Sequence, residues 1–274
     1  MRSDLNSNQI QSSKKFSLEN LKMTWRNLVI YGIGVKILWQ LEKLIPRYSL
    51  IGDTPFFKRE HFDWVPLLEA NWKIIRQELD EILKYSEQLP NFQDISPDQA
   101  YRTSKDNLWK TYFLYGYGFK AEKNCARCPE TTRILEQIPG MKTAFFSILL
   151  PGKHIPEHRG PYKGLIRCLL GLKIPEPKEK CRLRVGDEIR HWEEGECMLF
   201  DDSFQHEAWN ETDDVRVVLF IDIVRPMRFP LSFFNDLFLK LIAISPYIQD
   251  ATKNQKKWDS RLEELFAANV VKDL

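Results

Sequence analysis

Two histidines stand in short segments whose composition suits metal chemistry. His158 lies in Pro156–Pro161 (PEHRGP), and His206 lies in Asp201–Trp209 (DDSFQHEAW). Each segment follows the pattern of a turn or a strand end. Neutral imidazole is a good ligand for divalent iron, and iron oxygenases need coordination positions left open for oxygen and a co-substrate. Histidines that are distant in sequence can converge at the mouth of a β-barrel, so the pair is a candidate iron site.

The same residues also have a plainer interpretation. A histidine beside an acidic residue is usually a hydrogen-bonding group at the surface, and His154 and His191 compete as ligands. The chain has no HxD or HxE motif after His158, because residue 160 is glycine. Spacing alone therefore leaves the choice between ligand and surface group open.

Strands are the elements that would position these histidines. Segments rich in β-branched and aromatic residues recur at intervals of about 10 residues, with almost no helix between them, which indicates an antiparallel sandwich or barrel. Gly186-Asp187 and Glu194-Gly195 are predicted hairpin turns. The predicted strands are Trp109–Gly118, Thr143–Leu150, Gly164–Ile174, Cys181–Val185, Glu188–Trp192, Cys197–Phe200 and Val215–Val224.

Helical periodicity flanks this region on both sides. Leu18–Leu44, ended by Pro46, and Asp63–Leu89 repeat apolar residues at helical spacing, and Leu231–Ile244 is strongly apolar. The resulting division is a disordered polar tail (residues 1–17), an N-terminal helical region (18–104), a β domain (105–228) and a C-terminal helical region (229–274).

Composition excludes some classes of function. The net charge of +2, with basic and acidic residues intermixed, does not favour nucleic acid as a partner. Five cysteines and the lack of an apolar signal region predict reduced thiols and a cytoplasmic location. Leu28–Leu38 is too short to cross a hydrocarbon core of about 30 Å. It and Leu231–Ile244 would suit peripheral contact with the inner face of a membrane, or ordinary packing against the barrel.

Six segments taken together resemble the aspartyl/asparaginyl β-hydroxylase family. They keep the family's order and spacing over about residues 105–228, and FDDSFQHEAW is the most specific of them. The segments are Ser147–Gly152 (SILLPG), His158–Pro161 (HRGP), Leu165–Pro175 (LIRCLLGLKIP), Trp192–Glu196 (WEEGE), Phe200–Trp209 (FDDSFQHEAW) and Arg216–Asp222 (RVVLFID).

The resemblance implies a mainly β fold, a double-stranded β-helix of the cupin type, with flanking helices. It also implies Fe(II) bound by His158 and His206, with 2-oxoglutarate and O2 as co-substrates. Gly160 matches the family's glycine at the position where related oxygenases carry a carboxylate ligand.

Further site residues follow from the same resemblance. Arg216 matches the arginine that pairs with the distal carboxylate of 2-oxoglutarate, with Ser147 as its hydroxyl partner. Trp109 and Arg167 match further co-substrate or pocket positions, although Trp109 is as readily explained by core packing. Asp201 and Asp202 match residues around the metal ligands, or simply form a turn.

The substrate is the open question. Trp109–Cys128 and Gly140–Gly160 resemble the bacterial branch, which includes lipid A acyl-chain hydroxylases, and Leu169 replaces a histidine of the animal enzymes. A lipid A-type acyl chain is therefore the first expectation. Hydroxylation of aspartyl or asparaginyl residues, or of an amino-acid-like small molecule, is the alternative. A non-catalytic cupin-like binding module is the alternative from another class.

Overall fold

Extended segments rich in Val, Ile, Leu and Phe form two antiparallel sheets. The computed structural model describes residues 35–97 and 106–270. The strands are β1 (Phe56–Phe57), β2 (Trp109–Gly116), β3 (Phe119–Lys120), β4 (Met141–Leu149), β5 (His154–His158), β6 (Leu165–Lys173), β7 (Cys181–Val185), β8 (Glu188–His191), β9 (Cys197–Phe200), β10 (His206–Asn210) and β11 (Arg216–Val224).

Most of the strands after β4 alternate between the two sheets. The larger sheet has the order β1-β9-β6-β11-β4-β2-β3, and the smaller has the order β5-β10-β7-β8. From β4 onward the chain enters the large sheet, crosses to the small one, and returns, with β7 and β8 as the one hairpin pair within the small sheet. This winding is a double-stranded β-helix, which confirms the predicted fold class.

The two faces of the large sheet bury different clusters. Phe145, Leu169 and Val218 point toward the small sheet, where Leu183 and Ala208 belong to the same cluster. The intervening residues of the large-sheet strands point the other way and pack against helices, as strand geometry requires. Burial of each such large apolar side chain stabilises the fold by about 1.5–3 kcal/mol. The interior between the sheets is therefore a second core rather than a water-filled channel.

Helices flank the sheets on both ends of the sequence. They are α1 (Val35–Tyr48), α2 (Val65–Ala70), α3 (Trp72–Leu83), α4 (Phe92–Ile95), α5 (Glu122–Arg127), α6 (Pro129–Leu135), α7 (Leu231–Ala243) and α8 (Pro246–Val270). By its internal contacts the chain divides into Met1–Pro46 and Arg47–Leu274. The domain bounds expected from the sequence stay a prediction, and residues 1–34 lie outside the described residues.

Two helix predictions were wrong in detail. The helix predicted over Asp63–Leu89 is broken at Asn71, whose backbone leaves the helical region (φ −107°, ψ 8°). The Asn71 side-chain amide donates to the carbonyl of Leu67 (2.8 Å), the local competition that makes asparagine a poor residue inside a helix. The helix predicted to stop at Pro46 continues for two more residues, to Tyr48.

One of the two predicted hairpin turns was also wrong. Gly186 (φ 58°) does connect the paired strands β7 and β8. Gly195 (φ 79°) instead leads from β8 in the small sheet to β9 in the large one. A Cβ at Gly195 would lie 2.7 Å from Nε1 of Trp72, so glycine is needed there for close packing as well as for backbone freedom.

None of the helices that the structure describes is, by itself, long and apolar enough to cross a membrane. Leu231–Ala243 and Ile248–Phe266 meet the length and composition test only as a pair bent by 53°.

Candidate functional site

The small sheet brings His158 and His206 together. His158 ends β5, His206 begins β10, and they are direct partners in the antiparallel pairing of these strands. Their ring centroids lie 4.1 Å apart, with the ring planes at 52°. The convergence expected of two distant histidines therefore occurs, while their role as iron ligands stays a prediction.

Hydrogen bonds orient both imidazoles in the same way. The Nδ1–H of His158 donates to the carbonyl of Pro156 (2.8 Å), and that of His206 donates to the carbonyl of Phe204 (2.9 Å). A backbone carbonyl can only accept, so each Nδ1 carries the proton and each Nε2 keeps its lone pair. Burial lowers the pKa of His158, and burial together with the neighbouring His158 and Arg167 holds the pKa of His206 well below its usual value. Both rings are thus neutral at neutral pH, the form that binds a metal ion.

Gly160 leaves room for a neighbouring carboxyl group. A Cβ built on Gly160 would lie 2.2 Å from Oδ2 of Asp202, so no side chain fits there. Asp202 is 5% exposed, and its Oδ1 has no hydrogen-bond partner. Burial raises the pKa of Asp202 to about 7 against the opposing effect of Arg167. The space in which a carboxylate ligand at residue 160 would begin is thus filled by the carboxyl group of Asp202.

The donors present fit a divalent first-row metal with open coordination positions. They are two oriented imidazole nitrogens and, close by, a buried carboxyl oxygen without a partner. Within the described part of the chain no group of three or more His, Cys, Asp or Glu side chains converges to hold a metal ion. The site therefore differs from a closed structural metal site.

Arg167 is held by carboxylates of the protein itself. Its guanidinium pairs with Asp202 (Nη2 to Oδ2, 2.8 Å) and Asp222 (Nε to Oδ1, 2.9 Å) and lies 4.2 Å over the ring of Phe220. A buried arginine requires an anion, and here two are built in. Its predicted part in co-substrate binding stays a prediction, since the contacts point first to holding Asp202.

Arg216 has the opposite environment. It is 2% exposed, its Nη1 donates weakly to the carbonyl of Ser147 (3.4 Å), and its Nε has no partner. The guanidinium lies 4.6 Å over the ring of Trp192. No carboxylate among the described residues forms an ion pair with it, and burial lowers its pKa to about 10. Such a buried cation is a strong attractor for an external carboxylate.

Trp109 and Ser147 belong to this pocket. Trp109 and Arg216 both pair with Leu149 across the sheet, and the indole Nε1–H of Trp109 donates to the hydroxyl of Ser147 (3.1 Å). Trp109 also stacks on Phe92, with ring centroids 4.0 Å apart. Both expectations for Trp109, pocket and core, are compatible with this position.

An apolar row separates the Arg216 pocket from the Arg167 network. Phe113, Phe145, Phe220 and Leu169 are successive partners across four adjacent strands. The rings of Phe113 and Phe220 stack on Phe145 at 4.5 and 4.3 Å. Leu169 therefore completes an aliphatic and aromatic wall.

The competing histidines lie outside this site. His154 pairs with Glu207 (3.0 Å) and stacks on Trp209, and His191 donates from Nδ1 to the carbonyl of Lys178 (2.9 Å). Both are exposed. Their contacts are those of surface hydrogen-bonding groups.

Two residues of the site were missed by sequence reasoning. Asp222 was recognised only as the last residue of the RVVLFID segment, yet it is the carboxylate that anchors Arg167. A single acid inside the apolar strand VRVVLFIDIV was the available signal. Trp192, beneath Arg216, was recognised only as the first residue of the WEEGE segment, because a tryptophan next to a strand is equally typical of a core.

Comparison with known proteins places these residues in a family context. Residues 69–226 match the family model described as aspartyl/asparaginyl beta-hydroxylase. An ornithine lipid ester-linked acyl 2-hydroxylase of Rhizobium tropici is 44% identical over 220 residues, covering 80% of this chain and 78% of that protein. The human aspartyl/asparaginyl beta-hydroxylase is 34% identical over 171 residues, which are 61% of this chain and only 22% of the human protein.

Solved structures give weaker similarity. A Pseudomonas putida prolyl-4-hydroxylase shares 12% identity, with a TM-score of 0.38 over 69% of this chain and 99% of that chain.

Proposed function

Because this chain belongs to the aspartyl/asparaginyl β-hydroxylase family, we propose that it is an Fe(II)- and 2-oxoglutarate-dependent dioxygenase that hydroxylates an acyl chain of a lipid. The single observation that carries the chemistry is Arg216. It is a guanidinium buried between two sheets without a protein carboxylate in the described chain, in a barrel whose His158–His206 pair is prepared for a metal.

His158 and His206 would hold the metal through their Nε2 atoms. The carbonyls of Pro156 and Phe204 fix the ring orientations before any metal arrives, and such outer hydrogen bonds strengthen metal binding. When bound, the iron with 2-oxoglutarate and O2 supplies the oxidant that inserts one oxygen into an unactivated C–H bond, with succinate and carbon dioxide as co-products.

Arg216 would bind the distal carboxylate of 2-oxoglutarate. A planar guanidinium can donate two parallel hydrogen bonds to a carboxylate, and the unpartnered Nε is available for one of them. Ser147 is held beside it by the indole of Trp109, so its hydroxyl is positioned to donate to the same carboxylate. The surrounding apolar row excludes water, which strengthens this attraction.

Arg167 acts on the opposite end of the site as a positioning residue for Asp202. Its bridge between Asp202 and Asp222 fixes the carboxyl group that fills the space beside Gly160. We propose that the unpartnered Oδ1 of Asp202 accepts a hydrogen bond from a ligand of the metal, which would hold that ligand in one orientation.

An acyl substrate is supported by two observations. The Rhizobium tropici relative, whose name specifies a lipid acyl chain, matches most of both chains, whereas this chain spans less than a quarter of the human enzyme. In addition, Leu169 gives the interior an aliphatic side chain between Phe220 and Met198 where an acidic substrate would require a polar partner. Aspartyl or asparaginyl side chains remain the alternative substrates, because the human relative carries that name.

The test is succinate formation together with lipid analysis. Purified protein with Fe(II), ascorbate and 2-oxoglutarate should form succinate, and lipids of expressing cells should gain one oxygen in an ester-linked acyl chain by mass spectrometry. His206→Ala should reduce both signals at least a thousandfold, whereas His191→Ala, a matched surface histidine, should leave them unchanged.

Full turnover in His206→Ala would refute the metal assignment. Oxygen gain in an aspartyl peptide but in no lipid would transfer the chemistry to the alternative substrate. Ligand binding without any succinate would identify the chain as a binding module.

A further inference from the structure

Exposed apolar side chains are concentrated in one short segment. Of nine large hydrophobic residues with high exposure in the described parts of the chain, six lie between residues 229 and 244. We call them the α7 apolar face: Phe229 (79% exposed), Phe233 (57%), Phe234 (48%), Leu237 (47%), Leu241 (54%) and Ile244 (71%).

The spacing of these residues makes a continuous surface. Phe233, Leu237, Leu241 and Ile244 recur at three- and four-residue intervals, so they share one side of α7. The opposite side, with Leu231, Asn235 and Leu239, is buried in the fold. The helix is thus apolar on both sides, and within residues 35–97 and 106–270 only one side packs against the protein.

The buried side of α7 is fixed to the loop that follows the histidine site. The side-chain Oδ1 of Asn235 accepts a hydrogen bond from the hydroxyl of Tyr162 (2.6 Å), and its Nδ2 donates to the carbonyl of Gly164 (3.1 Å). A Cβ at Gly164 would lie 2.1 Å from Oδ1 of Asn235, so the contact allows no side chain there. This loop directly follows His158, the last residue of β5. The α7 apolar face is therefore attached to the segment that leaves the histidine pair.

We propose that the α7 apolar face docks the protein on an anionic phospholipid bilayer. Three phenylalanines with leucine and isoleucine are the side chains that a helix inserts below lipid headgroups. Two exposed cations, Arg228 and Lys240, lie beside or within the α7 apolar face, compared with one exposed acid, Asp236. Each cation near an anionic leaflet adds about 1 kcal/mol, and the flexible stem of Lys240 can lie along the apolar surface while its ammonium reaches phosphate.

A second copy of the chain is a poorer occupant. The six side chains expose on the order of 600 Å², at the upper limit for patches on ordinary monomers. A stable dimer buries about 800 Å² per partner, with polar groups paired at the rim. A bilayer needs no matching partner surface.

The helix lies in the membrane surface and does not cross it. Crossing would require α7 to leave the fold together with α8, and the Asn235 contacts with Tyr162 and Gly164 oppose that. Because its buried side stays attached to the fold, α7 can enter the bilayer only as deeply as its exposed side chains reach. Docking in this way places the loop that follows His158 next to the lipid.

This inference rests on the proposed lipid substrate for its purpose, but binding can be measured without turnover. The full chain is incubated with vesicles of phosphatidylcholine containing 30% phosphatidylglycerol and separated by flotation. Phe233→Glu should lower the bound fraction more than tenfold. Ile189→Glu, a control at a residue 52% exposed on the strand Glu188–His191, should change it less than twofold.

A second measurement reports insertion directly. All five cysteines are buried, so a single added cysteine can be labelled selectively with an environment-sensitive dye. The dye at Leu237→Cys should shift to the blue with these vesicles, and the dye at Ile189→Cys should not.

Equal binding by Phe233→Glu and Ile189→Glu, an unshifted dye at Leu237→Cys, or a dye shift caused by protein concentration without vesicles would overturn the proposal. His206→Ala should bind vesicles normally. An active enzyme that fails to bind would therefore refute the docking surface alone, whereas an inactive one that binds would refute the proposed function alone.

Discussion

Replacing Arg216 by methionine should stabilise the metal-free protein while it removes affinity for 2-oxoglutarate. Burial lowers the pKa of Arg216 from 12.5 to about 10, which corresponds to about 3 kcal/mol against its charged form. Since the charged form predominates at pH 7 in both folded and unfolded protein, this penalty opposes folding. Methionine also loses the contacts with Trp192 and Ser147, worth about 1–2 kcal/mol together.

The net gain should be about 1–2 kcal/mol, or a rise in Tm of about 2–8 °C. The matched control is Arg167→Met, which removes the same side chain from a different environment. There, Asp202 and Asp222 would be left buried with no cation, and the expected loss is about 3–5 kcal/mol. The two substitutions should therefore shift Tm in opposite directions.

Thermal unfolding with an inert divalent metal such as Mn(II), without oxygen, tests both parts. Saturating 2-oxoglutarate at about 100 times its Kd should stabilise the original protein by about 2.7 kcal/mol and leave Arg216→Met unchanged. If Arg216→Met unfolds as early as Arg167→Met, or still responds fully to 2-oxoglutarate, the guanidinium is not an unpaired cation reserved for a carboxylate.

Two further predictions concern the space beside the histidines. Gly160→Ala should abolish turnover and destabilise the fold by about 2–3 kcal/mol, because its Cβ would lie 2.2 Å from Oδ2 of Asp202. A double-mutant cycle of unfolding free energies tests this cause, since adding Asp202→Gly should restore most of the lost stability. Burial raises the pKa of Asp202 to about 7, so between about pH 4 and 7 the folded protein keeps a proton that the unfolded chain has lost. The metal-free protein should therefore lose stability as the pH rises through that window. Urea unfolding at several pH values should show a smaller loss for Asp202→Asn than for the original protein. Parallel pH profiles for the two proteins would contradict this.

The sheet region was predictable because its signals are local. β-branched and aromatic runs separated by turn residues are enough to locate strands, and Gly186 at positive φ reverses the chain within a hairpin. Which sheet a strand joins is decided by distant contacts. Gly195 turns the chain in the same way but leads to the other sheet, and β1, only two residues long, forms by pairing with β9. Neither outcome can be predicted from the residues that are adjacent in sequence.

The same distinction between what the sequence predicts and what distant contacts decide applies to the candidate site. The proximity of Trp109, Ser147 and Arg216 was expected from the resemblance to a family and agrees with the register of three adjacent strands. The partner of Arg167 was not foreseen, because nothing in sequence separation joins it to Asp222. That pairing arises only when β6 and β11 align.

The two arginines show how one fold assigns different tasks to the same side chain. Asp222 and Arg216 stand at opposite ends of β11, separated by about 20 Å of strand. At the Asp222 end, Arg167 already pairs with two carboxyl groups, which supports its proposed role in holding Asp202. At the other end, Arg216 has no such partner and lies beyond the row of Phe145, Phe220 and Leu169. Of the two arginines, Arg216 is therefore the one that fits the proposed role of binding 2-oxoglutarate.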